Sequence, residues 1–230
     1  MKRSEINARI REAIEFCNEH RFYLPKWAYW SADDWTSAGP EADEIRTRLL
    51  GWDLTDFGSG DYEHHGLLLF TIRNGEYTDD PDRMVKDYCE KLLLIGERQV
   101  TPMHFHWAKM EDIINRGGGN MVLELYNAEP ETEQLDDVNE VTVSIDGIET
   151  TVPAGGKVVL EPGQSITLPP YLYHTFYGEQ GKGMVLGGEV SRVNDDAHDN
   201  RFLEELPRFP AIEEDEPAEF LLCTEYPPAS

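Results

Sequence analysis

Between residues 67 and 190 the chain is a succession of short runs rich in β-branched and aromatic residues, cut from one another mostly by Gly, Pro, Asn or Asp. Runs of this length are too short for core helices but suit strands. They fall at Leu67–Ile72, Lys91–Ile95, Gln99–His106, Met121–Tyr126, Val141–Ile145, Ile148–Val152, Lys157–Leu160, Ser165–Leu168, Tyr173–Tyr177 and Met184–Val190. Asn74-Gly75 and Asp146-Gly147 read as hairpin turns, because both dipeptides tolerate the positive φ angles that a two-residue connection needs. With hardly any helix between the runs, the pattern predicts a mainly β fold, an antiparallel sandwich or barrel of the jelly-roll kind.

The first 65 residues have a different texture. Ile6, Ile10, Ala13, Ile14 and Cys17 recur at helical spacing over residues 4–19, with Ser4 placed as an N-cap. Trp27, Tyr29, Trp30 and Trp35 beside Pro25 and Pro40 fit an arm wedged against a barrel, and a second helix is expected over Pro40–Leu50, stopping at Gly51. The expected organisation is a helical arm over 1–65 packed on a barrel over 66–230, the latter carrying a C-terminal lid and tail, all one folding unit. A chain of 230 residues suits one substantial core. The tail from Pro210 is acidic, and Phe220–Cys223 is expected to dock as a last strand.

With 45 acidic against 20 basic residues, the formal charge of −25 repels nucleic acid and anionic membrane surfaces. A small neutral molecule is the natural partner. Neither an export signal nor an apolar run of spanning length is visible, and Cys17, Cys89 and Cys223 lack CxxC spacing, so a cytoplasmic protein with reduced thiols is expected.

Chemistry concentrates at His104, His106, Glu111 and His174. Residues i and i+2 of a strand share a face, so His104 and His106 point together while Phe105 and Trp107 point away. Glu111 follows just before the Gly117-Gly118-Gly119 turn, and His174 comes from a later strand. Nitrogen and oxygen donors without cysteine suit a divalent transition metal and leave it room for a chelating ligand. His20, His64, His65 and His198 have no comparable company.

These residues resemble the two motifs of the cupin superfamily, G-x5-HxH-x3,4-E-x6-G and G-x5-PxG-x2-H-x3-N. His104, His106, Glu111 and Gly118 match the first, with Arg98 at the leading glycine; Gly163, Pro169 and His174 match the second, with Tyr171 and Gly178 at its glycine and asparagine. Only turn residues depart. The stretch Lys91–Ile95, Gln99, Pro102 and Lys109-Met110-Glu111-Asp112, the 113–119 turn and Asn200–Glu204 are together similar to the cupin-type D-lyxose isomerases of bacteria.

That resemblance implies a jelly-roll barrel holding Mn²⁺ and an aldose-ketose interconversion through a cis-enediol, D-lyxose to D-xylulose and D-mannose to D-fructose. It further implies metal ligation by His104, His106, Glu111 and His174, proton transfer by Lys109, and a base at Glu204, with Glu189 and Glu205 competing for that role. Lys91, Glu189 and Arg201 are implied substrate contacts. The polar run 191–204 would act as a lid, with Asp196 or Arg201 binding hydroxyls. A homodimer is expected by analogy. The same ligands also serve Fe²⁺ dioxygenases, a sugar-binding cupin would hold the metal without catalysis, and a phosphosugar isomerase is disfavoured by the acidic balance.

Overall fold

The computed structural model describes residues 1–78, 80, 82–195, 198–207 and 210–229. Helix α1 spans Arg3–Glu19, α2 Ala32–Ser37 and α3 Asp43–Thr47. The strands follow as β1 Gly51–Thr55, β2 Leu67–Arg73, β3 Tyr88–Ile95, β4 Thr101–Phe105, β5 Glu111–Gly118, β6 Met121–Ala128, β7 Leu135–Asp136, β8 Val141–Ile145, β9 Ile148–Val152, β10 Gly156–Leu160, β11 Ser165–Leu168, β12 Leu172–Gly178, β13 Val185–Arg192 and β14 Arg201–Phe202. One sheet runs β1-β2-β3-β13-β5-β11-β8-β9 and the other β10-β6-β12-β4-β14, with β7 beside β6. Every strand pair is antiparallel, as the run of short strands predicts.

The continuous apolar runs of β2 and β3 are buried on both faces. Leu67, Leu69, Leu93 and Ile95 turn into the main core with Ile113, Leu123, Leu125 and Phe176. Their alternates Leu68, Phe70, Leu92 and Leu94 turn outward, where Ile6, Ile10, Ala13 and Cys17 of α1 cover them. Strict period-2 alternation is lost in such strands because neither face meets water. The aromatic segment wedges against this outer layer: Trp27 stacks on Phe70 at 4.8 Å, Trp35 stacks on Tyr226 at 3.9 Å, and Trp52 Nε1 donates to Ala28 O.

Several local expectations are corrected. Helix α1 begins before Ser4, whose N–H and Oγ both donate to Asp215 in the tail; Lys2 N–H donates instead to Glu5 Oε2. The segment from Pro40 is one turn of 3-10 helix followed by the short α3, broken at Leu49 with φ +50°. Gly51 does not end a helix; at φ +114° it opens β1, a strand absent from the sequence reading. Asn74-Gly75 makes no tight hairpin. Gly75 instead packs on Lys86, whose carbonyl oxygen takes the place a Cβ would need. Asp146-Gly147 does turn a hairpin, at φ +51° and +81°, between β8 and β9. Phe220–Cys223 docks without becoming a strand, because its recorded tie to β1 is one bond, Cys223 N–H to Trp52 O, rather than a ladder.

Candidate metal centre

The register of the six-stranded sheet brings the histidines together. His104 on β4 lies directly opposite His174 on β12, their ring centroids 4.2 Å apart, and His106 follows just past the end of β4. The donor atoms of all three fall within 4.8 Å of one another, and all three residues are buried. Glu111, the first residue of β5 in the facing sheet, sets Oε1 3.1 Å from His174 Nε2 and 3.5 Å from His106 Nε2.

Each imidazole is oriented by its other nitrogen. Nδ1 of His104 meets Pro102 O, Nδ1 of His174 meets Leu172 O, and Nδ1 of His106 meets Asp199 O. A carbonyl only accepts, so each Nδ1 carries the hydrogen and each Nε2 a lone pair. Nε2 of His106 and of His174 are buried with no hydrogen-bond partner among the described residues. Converging, orphaned lone pairs beside a carboxylate are what a divalent cation satisfies, so the donor set fits the expected metal. Burial, then the neighbouring His174 and His106, hold the His104 imidazole well below its ordinary pKa, which keeps it neutral as a ligand must be. Burial alone would raise Glu111, but the Lys109 ammonium and then His106 outweigh it and hold the carboxyl well below the usual range.

A second polar cluster adjoins the first. Lys109 Nζ stands 2.8 Å from Glu111 Oε2 and 2.9 Å from Glu189 Oε1, all three buried. Glu189 Oε1 also takes the Ser191 hydroxyl at 3.0 Å and has Lys91 Nζ at 3.5 Å. Asn194 Oδ1 accepts from Lys91 at 2.7 Å and from Lys109 at 3.4 Å. Asn194 is itself clasped by Asn74, which accepts its N–H and donates to its carbonyl. Asp199 holds the turn after β4: its carboxylate oxygens accept the N–H groups of Ala108 and Lys109 at 3.0 and 2.9 Å.

Around these groups lies a cavity of about 50 Å³, whose lining includes Lys91, His104, His106, Lys109, Glu111, Glu189 and Asn200. The structure thus assembles six of the expected site residues with Lys91, and leaves others apart. Glu204 and Glu205 are exposed after β14 and do not line the cavity; the carboxylates that do are Glu111 and Glu189. Arg201 also lies off the cavity, since its Nε donates to Glu133 at 3.3 Å and its Nη1 to Phe202 O. Asp196 lies outside the described residues. The sequence reading missed Asn194 and Asp199. Both sit in the polar run after β13, but only a partner distant in sequence distinguishes them from solvated neighbours such as His198, which pairs with Asp195 at the surface.

Comparison with known proteins bears on the whole chain. The family model for D-lyxose isomerase matches residues 1–226. A D-lyxose/D-mannose isomerase of Escherichia coli O157:H7 is 49% identical over 227 residues, covering 98% of each chain, and its counterpart from Serratia proteamaculans is 47% identical over the same share. Among solved structures, the L-ribose isomerase of Geodermatophilus obscurus superposes with a TM-score of 0.61 at 16% identity, covering 93% of this chain and 98% of that one. A variant of the Acinetobacter sp. DL28 L-ribose isomerase in complex with L-ribose gives the same TM-score, identity and coverage. At such identities these two speak for the fold, the cupin barrel that the motif resemblance implies.

Proposed function

The chain belongs to the D-lyxose isomerase family and is an aldose-ketose isomerase; from that premise we propose that it uses Mn²⁺ to interconvert D-lyxose with D-xylulose and D-mannose with D-fructose. The observation that carries this reading is the junction of two clusters: orphaned imidazole nitrogens at Glu111, and, one ammonium away, the buried Lys109–Glu189 pair. An isomerase needs both a cation and a proton carrier.

His104, His106, His174 and Glu111 would hold the metal, which supplies Lewis-acid polarisation of a carbonyl and its neighbouring hydroxyl. The chain's own residues do the rest. Glu189 takes the proton from the carbon next to the carbonyl and returns it to the adjacent carbon on the same face, passing through an enediol of the sugar. Lys109 donates to the sugar oxygen on which negative charge develops, from its position between Glu111 and Glu189. Lys91 stands 3.5 Å from the same Glu189 oxygen, and Asn194 spaces the two ammonium groups with a neutral acceptor. Leu69, Leu93, Ile113 and Phe202 line the same cavity and limit water around the enediol. A homodimer in the cytoplasm accompanies this reading; Cys17, Cys89 and Cys223 are buried cysteines, consistent with a reducing compartment.

The test is metal stripping, Mn²⁺ reconstitution and incubation with a panel of aldoses in D₂O under air. Ketose carrying solvent deuterium at the isomerised carbon is expected with D-lyxose and D-mannose. Oxygen consumption dependent on Fe²⁺, without ketose, would show a dioxygenase instead.

A further inference from the structure

Thr101 carries a hydroxyl for which the barrel has no use. By simple alternation along β4, Thr101, Met103 and Phe105 would share the outer face while Pro102, His104 and His106 faced inward. The ladder to β12 does not keep that alternation. His174 opposes His104 but Phe176 opposes Thr101, so a step of two residues on β12 is matched by three on β4, a β-bulge. Residues opposed across an antiparallel pair share a face. Phe176 lies on the face of His174 and lines the cavity, so the bulge turns Thr101 inward to the imidazoles' side, and Thr101 lines the cavity as well.

The hydroxyl that the bulge brings in is buried, at 3% exposure, and Oγ1 has no hydrogen-bond partner among the described residues. Thr101's carbonyl is already engaged, by the Thr175 hydroxyl at 2.6 Å. Leu67, Leu69, Leu93 and Phe176 line the same cavity and offer that hydroxyl nothing. Bulges beside active sites re-aim side chains, and a buried polar group left unsatisfied in the free protein costs stability unless a ligand completes it.

Resting on the isomerase reading above, we propose that Thr101 Oγ1 binds a hydroxyl of the sugar chain beyond the two reacting carbons and so helps determine which aldose is accepted. A neutral group that both donates and accepts matches a polyol hydroxyl. The Lys109–Glu189 end of the cavity is left for the reacting carbons.

The test compares Thr101→Val, which keeps the shape and removes the hydroxyl, with Thr101→Ser and Thr101→Ala, all as Mn²⁺-loaded protein. Three quantities are read: melting temperature, steady-state constants for D-lyxose, and affinity for D-arabinitol, the unreactive pentitol of D-lyxose, by calorimetry. Thr101→Val should raise the melting temperature by roughly 2–6 °C by removing the orphan hydroxyl. It should also weaken D-arabinitol binding and raise KM by about threefold to tenfold, with kcat little changed. Thr101→Ser should bind like the wild type and Thr101→Ala like Thr101→Val, which keeps the comparison available if one variant folds poorly. Unchanged KM and D-arabinitol affinity in Thr101→Val would overturn the proposal, as would a lowered melting temperature with unchanged affinity, the sign of a hydroxyl that holds an interior water. Wild-type protein that forms no ketose from D-lyxose would instead refute the isomerase reading itself.

Discussion

Lys109 Nζ donates to Glu189 Oε1 across 2.9 Å, a buried ion pair that ties the turn after the His-x-His strand to the middle of β13. The pair places a cation and a carboxylate together beside Glu111, in the lining of the cavity that His104 and His106 also line.

Glu189→Gln keeps the shape of the side chain and removes its ability to take a proton. We expect kcat to fall by about 10²–10⁴ with Mn²⁺ still bound, and deuterium incorporation from D₂O to disappear in parallel. Glu204→Gln, on an exposed turn, should stay within about twofold of wild type. Steady-state kinetics on both variants check this; a large loss in Glu204→Gln alone would move the base to the turn after β14.

The contrast between these two glutamates shows what the sequence could convey. The grouping of His104, His106, Glu111 and His174 was legible because the four residues match the spacing of the cupin motifs. The mainly β fold was legible in the succession of short β-branched and aromatic runs. Glu189 was visible only as one of several carboxylates, since its place beside Lys91 comes from the β13–β3 register. Asn74 read as a turn residue, although its side chain clasps Asn194 across 120 positions. Strand β5 escaped notice because buried Glu111 and Asn115 interrupt its apolar pattern. Such contacts are set by register and burial, which local pattern does not carry.

Metal removal should be visible in stability as well as in activity. A cation bound at Nε2 of His106 and His174 would satisfy both orphaned atoms, so its binding would favour the folded state. At a free Mn²⁺ concentration of about 100 Kd the linkage is about 2.7 kcal/mol, roughly 5–10 °C in melting temperature for a chain of this size. His174→Ala should lose that metal-dependent shift. Calorimetry with and without chelator checks both, and an unchanged transition would argue against ligation by these imidazoles.

Asp199 offers a check on the support around the ligands. Its carbonyl accepts from His106 Nδ1 while its carboxylate holds the N–H groups of Ala108 and Lys109, so one residue orients the His106 imidazole and the backbone at Lys109. Asp199→Ala should weaken Mn²⁺ affinity and lower kcat by about 10–100-fold, the usual cost of losing such support. Titration of free Mn²⁺ by electron paramagnetic resonance reads the affinity directly. His198→Ala, in the same segment but facing solvent, should leave it unchanged.

Alkaline pH should loosen the contact between α1 and the barrel. Burial pushes the Cys17 thiol up to about 11, because its thiolate would have to form between α1 and the outer face of the eight-stranded sheet. The group's folded pKa is raised above its unfolded value of about 8.5–9, so the folded state is unpenalised below that value. As pH rises from about 9 to 11, the unfolded chain releases the proton and the folded chain retains it, and stability falls through that window. Urea unfolding at pH 7, 9 and 10.5 should show midpoints dropping between the last two. Cys17→Ala removes the titrating group and should flatten the decline, while costing some stability at neutral pH through lost packing. Identical pH profiles for the two proteins would mean that other groups, such as the Tyr62 phenol raised to about 12, govern the alkaline limb.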